Sequence, residues 1–149
     1  MQVPEGYYAI LFEDPASGAV GVRFPEHPGV ITYGQDDDDA EEMACETLGA
    51  ALETDFDRGL VLPPSQEPTT KQGERVVFVP LEPDIRMAYL LRGWREEAGV
   101  TQKDMAQRMG ISTQAYRRME RPGRSNLTVS TLNRVARALG RRLVLELRG

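Results

Sequence analysis

Apolar positions set out two kinds of period along the chain. In "YYAILFE" (7–13) Tyr8, Ile10 and Phe12 alternate with Tyr7, Ala9 and Leu11, the period of a strand, and the turn formers of "DPASG" follow. "VGVRF" places Val20, Val22 and Phe24 on one face with Arg23 opposite. "PEHPG" is expected to break that strand, with a short third one at "VITY" before Gly34. The period then changes. Across "DDDDAEEMACETLGAALETDF" the residues Ala40, Met43, Ala44, Leu48, Ala51, Leu52 and Phe56 recur at helical spacing. Asp36 is placed to cap that helix, and the carboxylates behind it suit its positive end. "PPSQEPTTKQGER" (63–75) is too polar and too rich in breakers to pack, so an exposed loop is expected there before the buried strand "VVFVPL".

From Ile85 onward the pattern is helical throughout. One helix runs to Ala98 and stops at Gly99. Thr101 caps a second over Gln102–Met109, Gly110 permits a tight turn, and Ser112 caps a third ending near Glu120. After "RPGRSN", Leu127, Val129, Leu132, Val135, Ala136 and Leu139 mark a fourth. Two short capped helices joined by a glycine turn are the pattern of a helix-turn-helix, whose second helix enters the DNA major groove. In the closing "RRLVLEL", Leu143, Leu145 and Leu147 fall on one face of a strand with an open edge, which invites pairing with a second copy. The expected class is α+β: a β-β-β-α-β domain over 1–84, then an all-α domain over 85–149 with a C-terminal dimerisation strand.

Charge sharpens this division. The net charge of the 149 residues is −5, which hides 4 Lys/Arg against 18 Asp/Glu in residues 1–84 and 14 against 5 in residues 85–149. A −14 half and a +9 half call for different partners, the basic one for phosphate and the acidic one for a basic ligand or protein. Composition adds less. There is no apolar run long enough to span a membrane and no secretory leader pattern, so a cytoplasmic protein is expected. Cys45 is alone, which excludes an intramolecular disulfide.

Catalysis finds little support. His27 in "FPEHPG" has no second histidine to work with, and between prolines it reads as a turn residue. Cys45 lies mid-helix beside Ala44, where a thiol is usually inert. The run Asp36 to Asp39 lacks the spaced ligands and central glycine of a calcium loop. Neither an enzyme, a metal site nor a cofactor is expected. Nuclease activity through two metals would need several converging carboxylates, whereas these cluster at a helix start.

"LRGWREEAGVTQKDMAQRMGISTQAYRRMERPG" resembles the Cro/repressor (XRE-type) helix-turn-helix, over about residues 85–140. That resemblance implies that Gln102 contacts backbone phosphate and that Thr113, Gln114, Arg117 and Arg118 face base edges. The chemistry suits this, since Gln pairs with adenine and Arg with guanine, each worth ~1–3 kcal/mol of discrimination. Arg121, Arg124 and Ser125 would add phosphate contacts, which set register but carry no sequence information. Tyr116 and Met119 belong to the core face. The family also pairs a first-helix arginine with a glutamate closing the recognition helix, and Arg95 and Glu120 occupy those places. Arg134, Arg137, Arg141 and Arg142 read as solvated charges.

The first half, with "GVRFPEHPGVITYG" before its acidic helix, resembles the N-terminal domain of HicB-type antitoxins. His27 stands where leucine is usual in that family, and Val30 where cysteine is usual. "GERVVFVPLEPDIRMAYLLRGWREEAGVTQ" and "GRSNLTVSTLNRVARALGRRLVLEL" are similar to the HicB branch that ends in a helix-turn-helix. The resemblance implies a partial ribonuclease-H-like fold without that class's catalytic carboxylates. It implies two partners: a HicA-type ribonuclease toxin, small and basic, held by the −14 domain, and operator DNA, held by the +9 domain of a homodimer. The stoichiometry of the toxin complex is left open. The competing reading is a one-component regulator whose first domain senses a small ligand.

Overall fold

A computed structural model describes residues 2–123 and 127–149. The chain divides into two compact units, residues 2–86 and 87–149, with the division falling inside one helix.

The first unit is an antiparallel sheet with one helix on it. Its strands are β1 (Gly6–Glu13), β2 (Val20–Phe24), β3 (His27–Gly34) and β4 (Arg75–Pro80), in the order β3-β2-β1-β4 with every neighbouring pair antiparallel. Between β3 and β4 lies α1 (Asp37–Asp57). Alternation along the strands sends Tyr7, Ala9, Leu11, Val22, Phe24 and Val79 to one face, where all are buried with α1 residues Ala40, Ala44, Leu48 and Leu52. The helix starts very close to the sheet, because a Cβ on Gly34 would stand only 2.3 Å from the Ala40 nitrogen. Glycine is needed there for close approach rather than for an unusual φ.

Asp36 caps α1 as its position suggests, its Oδ1 accepting from the Asp39 N–H at 2.8 Å while Asp39 Oδ2 accepts from the Gln35 N–H. Arg75 then pairs with Asp37 and ties the β4 edge to the helix start. The expectation at "PEHPG" is corrected. Rather than ending the ribbon, the segment turns it tightly: β3 already begins at His27, and a register shift between Arg23 and Phe24 pairs Phe24 with His27. The shift puts His27 on the buried face, its ring edge-on to Tyr7 at 4.4 Å, so it is a core residue and not a turn residue. The 63–75 segment crosses the surface but is tied to the unit by Tyr7 Oη donating to the Pro63 carbonyl, by the Gln66 N–H donating to Glu26 and by Arg23 donating to Glu74.

The second unit is helical: α2 (Pro83–Glu97, which starts in the first unit), α3 (Gln102–Met109), α4 (Thr113–Met119) and α5 (Val129–Ala138). Leu91, Val100, Met105, Ala106, Met109, Tyr116 and Val135 form its core, with Trp94, Ile111, Met119 and Leu139 packed around them. Residues 141–149 carry neither helix nor strand in the single chain, and Leu145 and Leu147 are exposed while Leu143 is half-buried. The expected terminal strand is thus not formed here. A strand needs a neighbour for its backbone hydrogen bonds, and no strand occurs among the described residues of this unit.

Candidate nucleic-acid interface

The turn between α3 and α4 is built by local chemistry. Thr101 Oγ1 accepts from the Asp104 N–H and Asp104 Oδ2 accepts from the Thr101 N–H, both at 3.1 Å, a reciprocal cap that fixes where α3 begins. These bonds also hold the Asp104 carboxyl below its usual range. At the other end Gly110 adopts φ +67°, which a side chain would strain, and the Ile111 N–H returns to the Ala106 carbonyl. Ser112 Oγ then accepts from the Ala115 N–H at 3.0 Å and starts α4. Two short helices therefore meet with little freedom between them.

What fixes the second helix in place is a buried carboxylate. Glu120, 2% exposed, receives Arg95 Nε at 2.6 Å and Arg95 Nη2 at 3.2 Å, Gln102 Nε2 at 2.7 Å and Tyr116 Oη at 2.9 Å. Four donors on two oxygens satisfy the charge, the condition under which a carboxylate can be buried at all. Arg95 also donates to the Val100 carbonyl at 3.0 Å, so α2, the α2–α3 turn and the end of α4 meet at one point. Burial opposes the charge on Arg95, but the bond and charge of Glu120 outweigh it and raise the guanidinium's pKa. The Tyr116 hydroxyl is pushed well above its usual value, first by burial and then by the adjacent Glu120.

The sequence-predicted contact residues divide into three groups. Gln114, Arg118 and Arg121 are exposed on or just after α4, and Thr113 opens that helix half-buried. Gln102 and Arg117 are held against each other, with Arg117 Nε donating to Gln102 Oε1 at 3.2 Å. The Gln102 side chain is thus engaged on both sides, by Glu120 and by Arg117, a tether its position at a helix start did not disclose. Both residues, together with Thr101, Lys103 and Thr113, line an open cleft of about 590 Å³ between the α3 and α4 N-termini. Arg124 and Ser125 lie outside the described residues.

Two further arginines have structural partners. Arg134 Nη2 donates to the Met109 carbonyl at 2.6 Å and Arg108 Nη1 to the Ala138 carbonyl at 2.9 Å, so each of α3 and α5 ends on a cation from the other. Arg134 is therefore not a merely solvated charge. Arg141 lies 3.9 Å from Glu97. No cluster of three or more His, Cys, Asp or Glu that could hold a metal ion occurs among the described residues. No helix among them is long and apolar enough to cross a membrane.

Comparison with known proteins matches each part of this arrangement. The helix-turn-helix family model covers residues 91–145, from within α2 to the terminal segment. An HTH-type transcriptional regulator of Methanothermobacter thermautotrophicus is 40% identical over 55 residues, 37% of this chain and 78% of that protein. Antitoxin HicB 1 of Photorhabdus laumondii is 29% identical over 140 residues, 94% of this chain and 86% of its own length, so that likeness takes in both units. The second unit, with its capped pair of short helices, belongs to the helix-turn-helix family, and the chain as a whole is a homologue of antitoxin HicB 1.

Proposed function

We propose that this chain is a cytoplasmic antitoxin and autorepressor, which inhibits a HicA-type ribonuclease toxin through residues 1–84 and binds the operator of its own operon through residues 85–149. The observation that carries this reading is the opposed charge of two units within one HicB homologue, −14 over residues 1–84 and +9 over residues 85–149. An acidic surface attracts and steers a basic toxin, and a basic one attracts phosphate. Within the second unit, Thr113, Gln114, Arg117 and Arg118 are the base-reading side chains. Gln102, Arg121, Arg124 and Ser125 contact backbone phosphate. Arg95 and Glu120 set the angle of α4 without touching DNA. Leu143, Leu145 and Leu147 pair with their copies in a second chain, which gives a homodimer with two recognition helices for a two-fold site.

The test is co-expression with the product of the neighbouring reading frame, which this reading expects to be a short basic protein whose growth arrest is relieved. Gln114→Ala and Arg118→Ala should each abolish operator binding in a mobility-shift assay and leave the relief intact. If these variants also lose the relief, the division of labour is wrong. If the neighbour causes no arrest, the antitoxin reading fails and a ligand-sensing regulator takes its place.

A further inference from the structure

The sheet of the first unit has a second face, opposite α1. Register assigns to it Tyr8, Ile10 and Phe12 of β1, Arg23 of β2, Ile31 and Tyr33 of β3, and Val76 and Phe78 of β4. Such a face normally alternates to polar residues when it meets water. This one is apolar and aromatic along β1, β3 and β4, with Arg23 and the bare backbone of Gly21 between them on β2. Ile31 is 51% exposed, Tyr33 50% and Phe78 47%.

The backbone is shaped to keep its rings flat. A Cβ on Gly21 would meet the Phe12 ring at 2.3 Å, and one on Gly6 would meet Phe78 Cζ at 2.7 Å, so two rings lie over positions that carry no side chain. Tyr8 and Phe78 meet edge-to-face at 5.2 Å. Arg23 and Glu74, paired at 2.7 Å, neutralise each other at this face. The unit's other carboxylates lie mainly on α1 and in the loops, with Glu41, Glu42 and Glu46 exposed on the helix.

Charge selects the occupant. Residues 2–86 carry 5 Lys/Arg against 18 Asp/Glu, so two copies of this unit repel each other, and nucleic acid is repelled as well. A basic protein with its own apolar patch is drawn in by the charge of the whole unit and held by burial of the rings. We propose that the face of Tyr8, Phe12, Ile31, Tyr33 and Phe78 is the docking surface for the basic protein partner, with the acidic outer side of α1 acting on the encounter rather than on the contact. The proposal rests on the antitoxin reading above and says where on the first unit that partner sits.

The test measures association and dissociation rates of the full-length chain with the product of the neighbouring reading frame, which the antitoxin reading expects to be a short basic protein. Ile31→Ser with Tyr33→Ser removes apolar area at an exposed edge without changing charge. Dissociation should speed up by about 30-fold or more, with association and its salt dependence little changed. Glu41→Gln with Glu42→Gln and Glu46→Gln should do the converse, slowing association several-fold and leaving dissociation within about 3-fold. Phe78→Ser repeats the first arm from the opposite edge, and circular dichroism confirms that each variant is folded. Wild-type binding combined with unchanged dissociation in both sheet-face variants overturns this docking surface and leaves the antitoxin reading standing. Lack of any wild-type complex overturns both. A fall in the mass of the free chain on Ile31→Ser with Tyr33→Ser overturns the proposal too, since the face would then join two copies.

Discussion

Among the described residues each unit buries one acidic or basic side chain: Glu120 at 2% exposure in the second unit and His27 at 8% in the first. Their surroundings are opposite. Glu120 is met by four donors from Arg95, Gln102 and Tyr116. His27 packs its ring against Tyr7, and its Nε2 is buried with no hydrogen-bond partner among the described residues. Burial lowers the pKa of His27, against the opposing pull of Asp55 and Glu26. One unit has thus built a charged centre that needs every partner, while the other has enclosed a group by keeping it neutral. The first arrangement fixes geometry. The second makes stability depend on pH.

The largest effect should come from breaking the charged centre. Glu120→Ala leaves the Arg95 guanidinium half-buried and deprived of its carboxylate, and loss of one member of such a pair costs about 3–5 kcal/mol. Urea denaturation followed by circular dichroism should show the second unit unfolding at much lower denaturant. A loss below about 1 kcal/mol would mean that water replaces the carboxylate, and the centre would not be what holds α4. Tyr116→Phe removes one charge-assisted bond and keeps the ring, so about 1.5 kcal/mol is expected from the same measurement. The Tyr116 and Gln102 bonds end on the two oxygens of one carboxylate, Oε1 and Oε2. A Tyr116→Phe, Gln102→Ala double-mutant cycle should therefore show coupling, and strict additivity would place them in separate networks.

Caps mark the boundary between what the sequence discloses and what it does not. Asp36, Thr101 and Ser112 were legible as helix starts because a cap involves a side chain and a backbone N–H three residues away. The α3–α4 turn followed from residues at fixed offsets in a short pattern, whereas the meeting of Arg95 with Glu120, 25 residues apart, was implied by the resemblance to the Cro/repressor helix-turn-helix. Gln102 was legible only in part: its place at a helix start was evident, but its side chain is bound by Glu120 and Arg117, 18 and 15 residues away. His27 was misread for a related reason. Flanking prolines signal a turn, and the turn is there, but the register shift between Arg23 and Phe24 decides which face receives the imidazole. The terminal "RRLVLEL" has the alternation of a strand, yet alternation supplies only one side of a ladder.

A third prediction concerns the cap alone. Thr101→Ala removes the bond to the Asp104 N–H and should cost about 1 kcal/mol, read as a small shift in the unfolding midpoint of the second unit. Since Asp104 also accepts from the Thr101 backbone, which the substitution keeps, Thr101→Ala should cost less than Tyr116→Phe. A loss as large as that of Glu120→Ala would show that the cap, and not the carboxylate, governs the helix pair.

The smallest effect is a slope, and it separates the two buried groups most directly. An unfolded chain protonates His27 near its ordinary value of 6.5, whereas the folded chain does so only at lower pH. Between those two values the unfolded state binds more protons, so the stability of the first unit rises with pH across that window and is level in this respect above it. His27→Leu puts an apolar side chain of similar size on the same face. The wild type and the variant should therefore differ most in pH dependence as pH falls below 6.5, with the variant the flatter. The measurement is a set of urea melts of the two full-length chains from pH 8 down to 5.5, followed by a probe of the sheet unit. Equal slopes would mean that the unpaired Nε2 finds a partner in solution that keeps the protonated form, and the contrast with Glu120 would disappear.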